Sequence, residues 1–232
     1  MDARLQNRLR LLVALVVAFA ASSPIARASE IVLTAFEPFG GLPVNNSAVV
    51  VEKLAWLLEG TPTLDRSDPV RISTCILPVE YDRAAKVALD CVGGRTPALV
   101  LSFGAGGCEI DFETRARNLD STYAADNAGV RRVNRPILPG GPKVVEFNAP
   151  MKSIYRMAPP FGSANHLSND AGAYVCNNTA YWLGRMFATP GSPTRYGFVH
   201  VPPTSCSPIT ANADAIANTI YRGIRRAMPE LF

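Results

Sequence analysis

Two short stretches hold the residues best suited to chemistry. SNDAGAYVCNN, Ser168 to Asn178, sets Cys176 behind small residues and at the start of a helical pattern. YGFVHVPP, Tyr196 to Pro203, supplies His200 after a short apolar run. A thiol at a helix start and an imidazole at a strand end are the parts of a cysteine nucleophile. The thiolate is the reactive form, and a helix N-terminus and a nearby imidazolium both stabilise it. Taken alone, Cys176 reads as a buried helix cysteine and His200 as a strand-end histidine. Their coexistence points to a thiol hydrolase rather than a binding module. A third group has to orient the imidazole. Asp111 and Glu113 are the acidic candidates, in a stretch that otherwise reads as strand.

Other chemistries lack their parts. Gly104 to Gly107 (GAGG) lacks the following Lys and Ser/Thr of a phosphate loop. No G-x-S-x-G elbow occurs, which argues against that class of serine hydrolase. The only histidines are His166 and His200 and there is no CxxC, so no metal or cofactor is expected. Phe36 and Phe39 flank Glu37-Pro38 and read either as core or as an apolar pocket lining.

The first 28 residues read as a targeting segment. Arg4, Arg8 and Arg10 form a basic region, Leu11 to Ala20 an apolar one, and Ala26-Arg27-Ala28 a small-residue cleavage site. The apolar run is too short to span a bilayer comfortably. A signal peptide over 1–28 implies a periplasmic or secreted protein, with no membrane partner after cleavage. Its removal takes Lys+Arg from 23 to 19 and Asp+Glu from 19 to 18, so the formal net charge falls from +4 to +1. With no basic stripe, no nucleic-acid partner is expected. Five cysteines in an oxidising compartment leave at least one thiol free.

The elements that must position Cys176 and His200 alternate along residues 29–232, which read as one domain. Ile31 to Phe36, Val70 to Leu77, Ala98 to Phe103, Phe112 to Leu119 and Arg195 to Val201 read as strands. Helices are expected from an Asn46 or Ser47 cap to Glu59, then over Tyr81–Cys91, Met151–Met157, Cys176–Phe187 and Ile209–Met228. Asp120 to Lys143 reads as a long loop, with room for a hairpin. This alternation predicts an α/β fold: a three-layer α/β/α sandwich around a mostly parallel twisted sheet.

TAFEPFGG (Thr34 to Gly41), IDFETRARN (Ile110 to Asn118), SNDAGAYVCN and GFVHVP (Gly197 to Pro202) together resemble the signature blocks of the pyroglutamyl peptidase I family. The resemblance runs from about Glu30 to the C-terminus. It implies a cysteine peptidase that removes N-terminal pyroglutamate from peptides. Cys176 would be the nucleophile, His200 the base and Glu113 the residue orienting it. Phe36, Phe39, Gly104, Tyr174 and Val175 match substrate-binding positions around the lactam ring. The family often forms oligomers, so a homo-oligomer stays open.

The chain also departs from the family pattern. Gly104 stands where the family usually has glutamine, and Thr114 where it has arginine. Tyr123-Ala124-Ala125-Asp126-Asn127 replaces an Arg-Ile-Pro-Asp-Asn segment, with Arg115, Arg117 or Arg131 as candidate substitutes for the lost arginine. Asn45-Asn46-Ser47 replaces Asn-Pro-Ser. A lactam-binding protein without turnover and a thiol amidase of altered substrate choice are the alternatives. GAGGC and HVPPTSC would both lie at the C-terminal edge of the sheet, which suggests a Cys108–Cys206 disulfide beside the site. Nothing in the sequence supports pairing Cys75 with Cys91.

Overall fold

The computed structural model describes residues 29–61, 70–161, 165–209 and 211–232. The expected signal peptide lies outside the described residues. Ten strands and five helices follow in chain order among them: β1 (Glu30–Phe36), α1 (Asn46–Glu59), β2 (Arg71–Leu77), α2 (Arg83–Val92), β3 (Leu99–Ala105), β4 (Ile110–Glu113), β5 (Arg115–Arg117), β6 (Asp120–Thr122), β7 (Arg132–Arg135), β8 (Val144–Glu146), α3 (Met151–Met157), β9 (Asn165–Ser168), α4 (Val175–Phe187), β10 (Arg195–Val201) and α5 (Ala213–Ala227).

Six strands form the central sheet in the order β2-β1-β3-β10-β4-β9. The first four run parallel. β4 is antiparallel to β10, and β9 is parallel to β4. Side chains alternate across each strand, so one sheet serves two cores. Ile31, Leu33, Leu101, Phe103 and Val199 pack with α1, α3 and α5 on one face. Val32, Phe36, Val100, Tyr196 and Phe198 pack with α2 and α4 on the other. The α/β/α layering holds. β1, β3 and β10 are buried on both faces, which explains their near-continuous apolar runs.

Several boundaries differ from the sequence reading, each for a local reason. The cap of α1 is Asn45, whose side chain accepts from the Ser47 N–H; Asn46 and Ser47 are already helical. α5 begins at Ala213 because Asn212 caps it through the Ala215 N–H, later than the apolar pattern suggested. The expected strand Phe112–Leu119 is broken at Thr114. β4 stays in the central sheet, while β5 pairs with β8 in a separate two-stranded sheet. The Thr114 N–H and hydroxyl both donate to the Ser168 carbonyl, which pins the break. The loop that follows carries an antiparallel β6–β7 pair.

Two disulfides brace the molecule. Cys108–Cys206, as expected, joins the segments following β3 and β10. Cys75–Cys91 ties β2 to α2, a pairing without support in the sequence because it needs the helix laid over the sheet. Cys176 is the free cysteine.

Candidate active site

The site forms at the C-terminal ends of β3 and β10, beside antiparallel β4 and the start of α4. Cys176 is the second residue of α4, after Tyr174 in extended backbone at the cap. The first intrahelical bond runs from the Asn178 N–H to the Tyr174 carbonyl. The amides of Val175, Cys176 and Asn177 therefore have no partner within the helix, and no side chain caps them. The positive end of the helix faces a thiol with its own amides free to bind a developing anion.

β10 carries Tyr196, Phe198 and His200 on the α4 face, opposite the face of Val199 and Val201. His200 Nδ1 lies 2.9 Å from Glu113 Oε1, and both side chains are buried. Cys176 Sγ and His200 Cδ2 both lie against Gly104, which places the thiol beside the imidazole. Asp111 stands opposite His200 in the β4–β10 register. Even so, Glu113 takes the imidazole, and Asp111 lies 3.5 Å from His166 Nδ1. Glu113 Oε2 is buried without a hydrogen bond. Burial alone would lower the His200 pKa. Hydrogen bonds to Cys176 and Glu113, reinforced by their charges, outweigh it and raise the pKa to about 10. The arrangement favours an imidazolium beside the Cys176 sulfur at neutral pH.

Glycines bring the backbone up to this pair. A Cβ on Gly104 would sit 2.7 Å from Cys176 Sγ, and one on Gly106 would sit 2.9 Å from His200 Cβ and Cγ. The Gly106 N–H donates to the Val201 carbonyl, which fixes the loop against the histidine strand. No side chain fits at Gly104 while Sγ keeps its place. Gly104 is thus a backbone contact with the thiol, and a glutamine there would not fit this structure.

An aromatic wall stands next to the thiol. Phe36 and Val175 are fully buried, and Phe39, Tyr174 and Cys176 pack against the same cluster. The Tyr174 ring lies 6.2 Å from Phe39 and 5.7 Å from Tyr81, edge-on to the latter. The Tyr174 hydroxyl donates to the Ala125 carbonyl. Burial raises the Tyr174 phenol to about 12, so the wall is uncharged at neutral pH.

A model described as pyroglutamyl peptidase matches residues 29–227. The chain belongs to the pyroglutamyl peptidase family. A pyrrolidone-carboxylate peptidase from Vibrio vulnificus is 35% identical over 176 residues, covering 75% of this chain and 78% of the relative. One from Levilactobacillus brevis is 32% identical over 175 residues, covering 75% and 81%. Among solved structures, pyroglutamyl peptidase I from Bacillus amyloliquefaciens superposes with a TM-score of 0.70 at 25% identity, covering 84% of this chain and 95% of that one. A mutant pyrrolidone carboxyl peptidase from Pyrococcus furiosus gives 0.67 at 26% identity, over 88% and 100%.

In this pyroglutamyl peptidase family member, the departures noted in the sequence have structural counterparts. Arg115 donates to the Asn169 carbonyl, and Arg117 pairs with Asp170 at 2.7 Å and donates to the Gly172 carbonyl. Both hold the loop leading to Cys176. Arg131 and Tyr123 are exposed. Asn46 donates to the Pro202 and Ala211 carbonyls, tying α1 to the segment after His200. Glu37 accepts from the Val79 N–H and from Asn127 Nδ2, which binds the TAFEPFGG block to the replaced segment.

Sequence reasoning missed Arg132. Its guanidinium bridges Asp82 at 2.7 Å and the fully buried Asp120 at 3.0 Å, and lies 4.6 Å from the Tyr81 ring centroid. Asn178, on the first turn of α4, donates to Asp120 and accepts from the Asp82 N–H. These residues are distant in sequence, so no local pattern could have grouped them. One signal existed: two acids and an arginine inside otherwise ordinary stretches. Among the described residues, Glu109, Asp111 and His166 gather ligand atoms within 4.8 Å of one another. The exposed imidazole already lies within ion-pair distance of both carboxylates, and nothing in the thiol chemistry calls on it.

Proposed function

We propose that this chain is an exported cysteine peptidase that releases pyroglutamate from peptide N-termini, with Cys176 as nucleophile, His200 as acid and base, and Glu113 orienting His200. The observation that carries the reading is the 2.9 Å His200–Glu113 contact behind a free thiol at an uncapped helix start. Cys176 Sγ attacks the carbonyl joining the lactam residue to the next one. The C–S bond forms as the C=O π bond opens onto the oxygen, which the α4 amides stabilise. His200 gives its proton to the departing amine, and the C–N bond breaks to leave a thioester. Water, deprotonated by His200, then attacks the thioester; free pyroglutamate leaves and Sγ recovers its charge.

The partly exposed Phe39 and Tyr174, backed by buried Phe36 and Val175, suit a compact, uncharged lactam. A free N-terminal ammonium would lose its hydration there without an ionic partner. Export is supported by the basic and apolar pattern of residues 1–28 and by two disulfides, which persist in oxidising compartments.

The test is release of a fluorogenic amine from a pyroglutamyl conjugate, beside the open-chain glutaminyl conjugate. Turnover confined to the lactam supports the reading. Equal turnover of both identifies an amidase of different specificity. No turnover from the folded protein identifies a non-catalytic lactam binder.

A further inference from the structure

We propose that Arg132 and Tyr81 are positioning residues for the lactam wall: Arg132 fixes the Tyr81 ring, and Tyr81 fixes Tyr174 beside the thiol. This rests on the lactam reading of that wall. The chain of contacts is continuous. Arg132 is held from two sides, by Asp82 through both terminal nitrogens and by buried Asp120. A lysine could reach only one of these geometries, because the planar fork is what spans both carboxylates. The guanidinium then lies over Tyr81 at 4.6 Å, and Tyr81 meets Tyr174 edge-on at 5.7 Å. Tyr174 is the residue on which α4 starts.

The same network reaches the helix directly. Asp82 has a φ of 59°, an uncommon conformation for a residue with a side chain. It is kept there by Arg132, by Asn178 and by Trp182 Nε1. Hydrogen bonds from Arg132, Asn178 and Trp182, with the Arg132 charge, hold its carboxyl below the usual range even though burial opposes this. Asn178 and Trp182 both lie on α4, so Arg132 sets the position of the helix start as well as that of the wall. Tyr123 replaces the family arginine and is exposed. Arg132 instead supplies a cation behind the wall, where it organises aromatic rings without charging the pocket.

The Tyr81 hydroxyl is buried without a hydrogen bond, which separates the role of the ring from that of the oxygen. Tyr81→Leu removes the ring and leaves the ion pairs intact. It is expected to raise KM for the pyroglutamyl conjugate about tenfold while kcat stays within about threefold. Tyr81→Phe is expected to restore the wild-type KM. Arg132→Met is expected to raise KM likewise and also to lower Tm, since it leaves the buried Asp120 carboxylate without its cation; Arg132→Lys restores KM only in part. A second readout needs no turnover: the concentration of 2-pyrrolidone that half-protects Cys176 from iodoacetamide should rise with KM in each variant. The inference is overturned if Tyr81→Leu lowers kcat or the active fraction while KM and 2-pyrrolidone protection keep their wild-type values. Wild-type protein that neither turns over the conjugate nor is protected by 2-pyrrolidone overturns the lactam reading together with the inference.

Discussion

The two halves of the site are held in different ways. The thiol half stands on sheet backbone: His200 and Glu113 come from adjacent strands in fixed register, and Gly104 and Gly106 bring β3 and its loop against them. The aromatic wall stands on side chains reaching between loops: Glu37 to Asn127, Asp126 to the Tyr81 N–H, and Arg132 to Asp82 and Asp120. Backbone ladders fix geometry with little dependence on neighbouring side-chain identity. Side-chain bridges depend on the residues at both ends, and here Asp126 and Asn127 keep the Asp-Asn of the segment corresponding to Arg-Ile-Pro-Asp-Asn while Tyr123, Ala124 and Ala125 replace the rest. The difference teaches that the catalytic pair rests mainly on backbone geometry and the wall on side-chain bridges, the two meeting at the start of α4.

That separation can be broken from either side. Short of replacing the nucleophile, the largest effect is expected from His200→Ala, with kcat/KM for the pyroglutamyl conjugate falling about a thousandfold and KM nearly unchanged. A matching rise in KM would show that the two halves are coupled. Glu113→Gln comes next, with kcat down about 10- to 100-fold and an altered pH profile. Because His200 must be protonated to serve the leaving amine, wild-type kcat/KM should fall as pH rises through about 10. Removing the Glu113 charge moves that limb down toward the ordinary histidine value of about 6.5. The sign for stability follows. The folded pKa is raised, so the stabilisation from His200 is complete below about pH 6.5 and is lost as pH climbs to about 10. A limb that stays put in Glu113→Gln would mean another group sets it.

Gly106→Ala should be milder. Its Cβ would press on the buried imidazole, lowering kcat about tenfold and stability by about 1–3 kcal/mol, read by kinetics and denaturation. The smallest effects on turnover belong to the disulfides, and they sharpen the contrast. Cys108–Cys206 spans 98 residues and joins the two segments around His200. Cys75–Cys91 spans 16 and braces β2 against α2. Replacing either pair with alanine should cost about 2–4 kcal/mol, more for the longer loop. Only loss of Cys108–Cys206 should lower kcat.

The thiol half and the layer order were legible in the sequence because they rest on local patterns. Apolar runs of β1, β3 and β10 mark buried strands, and Cys176 and His200 sit at element ends. The break at Thr114 was not legible, because it depends on the Ser168 carbonyl some fifty positions away. The Asn45 cap was misplaced by one or two positions because Asn45, Asn46 and Ser47 are all good cap residues; Glu37 decides among them by accepting Asn45 Nδ2 on its carbonyl. Arg132 was missed because its partners, Asp82, Asp120 and Tyr81, come together only after α2, β6 and β7 are assembled.

The most direct measurement of the central claim is release of the amine from a pyroglutamyl conjugate by the wild-type protein and by Cys176→Ser, both verified as folded. Wild-type turnover with at least a thousandfold loss in Cys176→Ser is the predicted result. Comparable turnover by the two proteins would contradict it, because the nucleophile would then lie elsewhere.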